Sequence, residues 1–272
     1  MQKIGWGFGV VAVLWGSSVL AQDLSLAGHT ISVTDDGMGS AALVVDGEVL
    51  HENGVIYLDE ATQQISGLTV ITGVAGAGGN ACGAAPFVLA LQEGAAPAFY
   101  GPLDSCREFT MQVQPEALVF STEPLPSEPG EVWVWNPVTG MTEALPEEFS
   151  ADSAAGWDAV PTLAQAHPVD AMKLAPVQAA LQAGLGADYA VFAERISDLG
   201  SGDLTAEGYL GQACLKFTCD ADWAFLYLHP ATEGVFVGWH VEGEIEPHIW
   251  PKDTNLWPAE AMAALRAAGG EG

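Results

Sequence analysis

Positive charge is scarce in this chain: Lys and Arg number 7 among 272 residues, against 35 Asp and Glu. The formal net charge of −28 excludes the basic stripe that nucleic-acid backbones and anionic lipid surfaces require. It favours encounter with basic macromolecules instead. Long apolar runs are missing beyond the first 21 residues, so no later segment offers the roughly 20 apolar residues of a membrane helix. Catalytic signatures are missing as well. There is no Gly-x-Ser-x-Gly elbow and no His-Glu-x-x-His. The Gly-rich stretch 73–80 lacks the Lys-Ser/Thr ending of a phosphate loop, and no helical pattern follows it. The expectation is a protein without cofactor, metal or catalytic set.

What is present begins with the N-terminus. Lys3 precedes a largely apolar run over 4–15, and residues 16–21 place Val19 and Ala21 at the −3 and −1 positions of a cleavage site. That is the pattern of a secretory signal peptide over 1–21, which predicts a periplasmic or secreted protein beginning at Gln22. Cleavage removes Lys3 and no acid, so the charge of −28 becomes −29. Export bears on the four cysteines, Cys82, Cys106, Cys214 and Cys219. An even count in an oxidising compartment reads as disulfides. Three pairings are possible, and proximity in sequence favours Cys82–Cys106 with Cys214–Cys219. Half a zinc site from Cys214 and Cys219 with His229 and His240 is the alternative, but the histidines lack ligand-like spacing.

The chain changes character near its middle. From 29 to about 139, short apolar runs alternate with turn residues, at 31–34, 41–45, 55–58, 68–74, 87–91, 109–113, 118–121 and 132–135. Asp46-Gly47 is the dipeptide of a tight type I′ hairpin. Strands at this spacing predict an antiparallel sandwich or barrel over 22–150. Residues 146–156 read as a polar, acidic linker. Residues 157–268 then read as α+β, with helices at 176–185 and 188–199. Strands follow at 223–228, 235–241 and 244–250, and Pro258 opens a closing helix.

Two acidic clusters invite a chemical reading. Asp35 and Asp36 sit in a Gly-rich turn, where carboxylates ordinarily bond the turn's own backbone. His240, Glu242 and Glu244 would share one face of an unbroken strand and could hold zinc. Gly243 and Pro247 break that alternation, so a solvated strand face is expected and no metal. The segment with most to say is 209–219, Tyr-Leu-Gly-Gln-Ala-Cys-Leu-Lys-Phe-Thr-Cys. A Cys214–Cys219 bridge would close a loop carrying Leu215, Lys216, Phe217 and Thr218. Such a loop loses little entropy on docking. From the residues alone the bridge better suits a pinned turn with Phe217 folded into the core.

Residues 181–250 resemble the inhibitor of vertebrate lysozyme (Ivy) family of bacterial periplasmic proteins. The resemblance rests on the helix at 187–192, the Gly/Asp-rich stretch 200–203, which reads as a turn, and Gly208-Tyr209-Leu210-Gly211-Gln212-Ala213-Cys214 leading into the Cys-x4-Cys loop. The strand 223–227 and the turn before 235–239 complete it. What it implies is an antiparallel sheet backed by helices, with the disulfide loop protruding into a lysozyme cleft. The family's typical loop reads Cys-Lys-Pro-His-Asp-Cys, its His engaging the catalytic carboxylates. Here Lys216, Phe217 and Thr218 stand where Pro, His and Asp would be. The N-terminal half resembles no family we recognise. The expected function is binding, with possible inhibition, of a cationic c-type lysozyme or another peptidoglycan-cleaving enzyme through Leu215, Lys216, Phe217 and Thr218. A non-inhibitory adaptor or structural protein of the cell envelope is the alternative.

Overall fold

The computed structural model describes residues 23–79 and 82–268. The expected signal peptide at 1–21 lies outside the described residues. Among the described residues the strands form four antiparallel sheets. In the first, β1 (Leu24–Leu26), β2 (His29–Asp35), β3 (Ala41–Val45) and β4 (Glu48–Asn53) pair in chain order. In the second, β5 (Val55–Ile65), β6 (Leu68–Gly76), β7 (Ala85–Leu91) and β8 (Ala98–Tyr100) do the same. The two share one core, in which Ile31, Leu43 and Val45 meet Ile56, Ile71, Phe87 and Leu89. Of the two expected all-β architectures, this is the sandwich, because each sheet turns alternate apolar side chains onto the other. The hairpin between β3 and β4 turns at Asp46 and Gly47, with φ of 54° and 84°. Positive φ at both central residues is what a type I′ turn demands. Cys82 and Cys106 are bonded in this part of the chain.

A third sheet holds β9 (Phe109–Val113), β10 (Leu118–Thr122), β11 (Val132–Asn136) and β12 (Gly140–Glu143), in the order β12-β11-β10-β9. The chain divides into two compact units, and most of this sheet groups with the C-terminal one, which comprises residues 108–113, 118–135 and 141–272.

In that unit α1 (Pro168–Met172), α2 (Ala175–Leu185) and α3 (Tyr189–Ser197) precede five strands. These are β13 (Leu199–Leu204), β14 (Tyr209–Cys214), β15 (Trp223–His229), β16 (Gly234–His240) and β17 (His248–Trp250), paired in chain order, and α4 (Ala259–Ala268) follows. Both faces of the sheet are covered. Ala224, Leu226, Leu228 and Val237 pack in one core with Val177, Leu181, Phe192 and Ile196 of the helices. Phe225, Tyr227 and Phe236 pack in another with Trp257, Ala261 and Ala264. Successive residues of β15 therefore serve opposite layers, which is why it reads as an unbroken apolar run.

Three expectations in this unit need correction. Residues 200–203 are the middle of β13, not a turn. Their glycines answer close approach: a Cβ on Gly202 would lie 2.1 Å from the Tyr209 hydroxyl. The helix expected to reach Leu199 ends at Ser197, and Leu199 opens β13. The strand expected over 244–250 is reduced to β17, because Gly243, at φ 85°, belongs to a turn.

The sandwich carries one titratable clamp. The His29 imidazole faces two acceptors, Asp46 Oδ2 at 2.6 Å from Nδ1 and the Gln92 carbonyl at 3.1 Å from Nε2. Two acceptors suit the doubly protonated ring. The Asp46 hydrogen bond, then the Gln92 carbonyl, raise the His29 pKa against the opposing effect of burial. The hydrogen bond from His29, then the Thr30 amide, lower that of Asp46. A raised histidine pKa contributes stability that is complete below the ordinary value of 6.5 and is lost as pH rises through the folded value. The Asp46 contribution is complete above 3.8 and is lost as pH falls through its depressed folded value. Thermal melts should accordingly show wild type losing its advantage over a His29→Gln variant as pH rises from below 6.5 through the raised folded value. A constant difference between the two would refute this clamp.

Candidate functional site

β14 and β15 pair in a register that sets Cys214 opposite Trp223, so residues 215–222 cross from one strand to the next. The turn is internally bonded. The Leu215 amide donates to the Asp222 carbonyl at 2.9 Å, Thr218 to Leu215 at 3.1 Å, and Asp222 to Thr218 at 2.7 Å. Cys214 and Cys219 are joined, with their Cα atoms 4.8 Å apart. The loop is thus closed twice, by a covalent link and by its own amides.

Its root is anchored from below. Arg195, on the buried face of α3, donates from Nη2 to Asp222 Oδ1 at 2.6 Å, and both side chains are nearly inaccessible, at 6% and 7% exposure. The guanidinium also donates to the His240 carbonyl at 2.9 Å and the Val191 carbonyl at 3.0 Å. Burial pushes the Asp222 carboxyl up, but the Glu242 amide, Arg195 and the Thr218 side chain outweigh it and hold its pKa below the ordinary range. A second tether joins the loop to the end of α3, where the Lys216 amide donates to Asp198 Oδ2 at 2.7 Å. The Asp198 carbonyl lies 2.8 Å from His167 Nε2.

These anchors set the aim of the tip. Phe217 is 80% exposed, with a φ of 78° that turns the backbone outward at that residue. Lys216 is exposed as well, its Nζ 5.3 Å from the Phe217 ring centroid. Leu215 and Thr218 are half-buried at the base. The arrangement with Phe217 folded into the core is therefore not the one adopted. The loop presents an aromatic ring beside an ammonium on a stiff support.

The other clusters resolve into structure. Asp35 Oδ1 accepts the Gly37 amide at 2.7 Å, and Asp36 Oδ1 the Met38 and Ser40 amides at 2.7 and 3.0 Å. Those amides keep the Asp36 pKa low. His240 lies between the carbonyls of Ala221, 2.5 Å from Nδ1, and Glu244, 3.1 Å from Nε2, and its ring stacks on Trp223. It braces the loop's return strand. His248 pairs with Glu244 at 2.5 Å and stacks on Trp239. Among the described residues, no group of three or more His, Cys, Asp or Glu is placed to hold a metal ion. No helix among them is long and apolar enough to cross a membrane.

Comparison with known proteins gives this geometry a lineage. The chain is 32% identical over 262 residues, 95% of this chain and 93% of the other, to a protein of Sinorhizobium fredii (strain NBRC 101917 / NGR234) named "Uncharacterized protein y4bG". This chain belongs to the y4bG family. The family model described as the Y4bG N-terminal domain matches residues 27–148. The one described as Inhibitor of vertebrate lysozyme (Ivy) matches residues 176–271. The disulfide loop thus lies within the Ivy domain, whose description points to an inhibitor rather than an enzyme. Sequence reasoning missed the support beneath the loop. Arg195, Asp222, Asp198 and His240 left only a faint signal, a single Arg on the apolar side of an amphipathic helix and an Asp just past the second cysteine.

Proposed function

We propose that this y4bG-family protein is a periplasmic binder, and inhibitor, of a cationic peptidoglycan-cleaving enzyme such as a c-type lysozyme. The disulfide loop 214–219 would enter that enzyme's cleft. One observation carries the reading: an 80% exposed Phe217 at the tip of a loop closed by a disulfide and tied down by a buried ion pair. Preorganisation of this kind lowers the entropy lost on docking. Phe217 supplies an apolar anchor of the kind that dominates interface energetics, and Lys216 a point charge for carboxylates in the cleft. The charge of −28 speeds encounter with a basic partner and makes association sensitive to salt. Two disulfides suit an oxidising compartment.

A second reading has its own support. Phe217 occupies the position of the family's carboxylate-binding histidine, and a phenyl ring neither accepts nor donates a hydrogen bond there. This favours a binder that docks without blocking catalysis, an adaptor of the cell envelope. Residues 27–148 would then carry much of its recognition. Steady-state cleavage of peptidoglycan by a c-type lysozyme, with the protein from Gln22 onward as additive, separates the two. Inhibition that disappears in a Lys216→Ala/Phe217→Ala variant is the expected result. Undiminished cleavage at saturating, directly measured binding would favour the adaptor, and no binding at all would refute the inhibitor.

A further inference from the structure

Beside the loop, α3 faces the turn at residues 125–129, and three neighbouring hollows of about 160, 350 and 240 Å³ open between them. Ser127 and Glu128 line all three, so the hollows are stations of one groove. One end reaches Gln178 and Tyr189, and the other reaches Leu215, at the base of the disulfide loop. Glu148, Glu128, Glu194 and Asp198 are spaced along it; Glu194 Oε2 lies 3.4 Å from Arg195 Nη1 and Asp198 Oδ2 accepts the Lys216 amide, and no Lys, Arg or His lines any of the three hollows. At the inner end Gln178 is 8% exposed. Its Nε2 donates to the Tyr189 hydroxyl at 2.7 Å, while its Oε1, sealed from solvent, has no hydrogen-bond partner. Buried carbonyls are seldom left so. Gln178 itself lines the hollow, so the unpaired oxygen belongs to the wall of the groove at that end.

We infer that this groove takes an extended, Lys- or Arg-rich segment of a partner protein. The chemistry is one-sided, with carboxylates along the length and an unpaired acceptor at the end, a match for chains of cationic donors. The size agrees. α3 has 9 residues and so runs about 13 Å, the length of about four extended residues. Because the groove opens at Leu215, the same basic enzyme that receives the loop can fill it, and that identification of the partner rests on the function proposed above. Its outer wall, residues 125–129, comes from the region matched by the Y4bG N-terminal domain. That region thus extends the contact surface of the Ivy domain with a second, electrostatic site.

Acetylated pentalysine amide is a sufficient probe, titrated at low ionic strength into the ¹⁵N-labelled chain from Gln22 onward. Amide shifts are expected to concentrate at 125–129, 148–149, 178–182 and 189–198. A Glu148→Gln/Glu194→Gln variant should bind the peptide about tenfold more weakly, as the loss of two ion pairs implies. A Glu52→Gln/Glu60→Gln variant, equal in charge and altered on the sandwich strands, should bind as wild type does. Shifts scattered over the acidic surface, equal weakening in both variants, or no binding would each overturn the groove. None of these outcomes bears on whether the loop inhibits a lysozyme, so the two readings fail separately.

Discussion

An Asp222→Ala variant is expected to lose about 3–5 kcal/mol of stability and, with it, the fixed form of the loop. The magnitude follows from what is left behind. Removing one partner of a buried ion pair strands the other charge out of water, and that costs several times what an exposed pair contributes. Arg195 is 6% exposed and would keep as acceptors the carbonyls of His240 and Val191 and, at 3.4 Å, the exposed carboxylate of Glu194. The same carboxylate also accepts the Glu242 amide at 3.2 Å, so its loss loosens the start of the turn after β16 as well. Asp222→Asn retains the shape and part of the hydrogen bonding, and should cost less than the alanine. Denaturant unfolding measures both. A depressed carboxylate pKa contributes stability above its ordinary value of 3.8 that is lost as pH falls through the folded value. The gap between wild type and Asp222→Asn should therefore close in acid. An alanine variant within about 0.5 kcal/mol of wild type would show that the pair anchors nothing.

The second large effect falls on binding with stability spared. Phe217→Ala removes an exposed ring, so unfolding should change by no more than about 0.5 kcal/mol. Partner affinity should fall by about 2 kcal/mol, roughly thirtyfold, as for a central aromatic anchor. Phe217→Gly sharpens the separation. At a φ of 78° glycine bears less backbone strain than a residue with Cβ, so that variant should gain up to about 1 kcal/mol of stability while losing the anchor. Phe217→His restores the imidazole of the resembled family's loop and should strengthen inhibition of a c-type lysozyme. If all three variants match wild type in affinity, the tip does not touch the partner.

Much of the architecture was legible in the sequence because the periodicities are local. Short apolar runs between turn residues set out β2, β3, β6 and β7, and Asp46-Gly47 marked its hairpin through a conformational demand that few residue pairs meet. Pro176 and the apolar positions that follow it announced α2. What stayed hidden depends on distance in space. The two glycines in β13 look like a turn until Tyr209 and the chain at Ala166 are seen to press against Gly202, and Ala213 and His167 against Gly200. Arg195 and Asp222, 27 positions apart, meet only after α3 lies across the sheet. For the candidate site, the loop could be read from its paired cysteines, but the outward turn of Phe217 could not. That turn is set by the tethers at Asp198 and Asp222, whose side chains act on the backbone of a different segment. The groove was wholly unannounced, since residues 125–129 and α3 are joined by folding alone.

In the function proposed above, loop 214–219 sits inside the cleft of a glycan-cleaving enzyme. Competition tests it most directly. A chitin oligomer long enough to fill the cleft of a c-type lysozyme is titrated against the lysozyme–protein complex, with binding followed by fluorescence anisotropy. The account predicts mutually exclusive binding: the apparent Kd of the protein rises in proportion to oligomer concentration, and Phe217→Ala shows the same proportionality at weaker affinity. Simultaneous binding, with the Kd unmoved at saturating oligomer, would place the contact outside the cleft and contradict it.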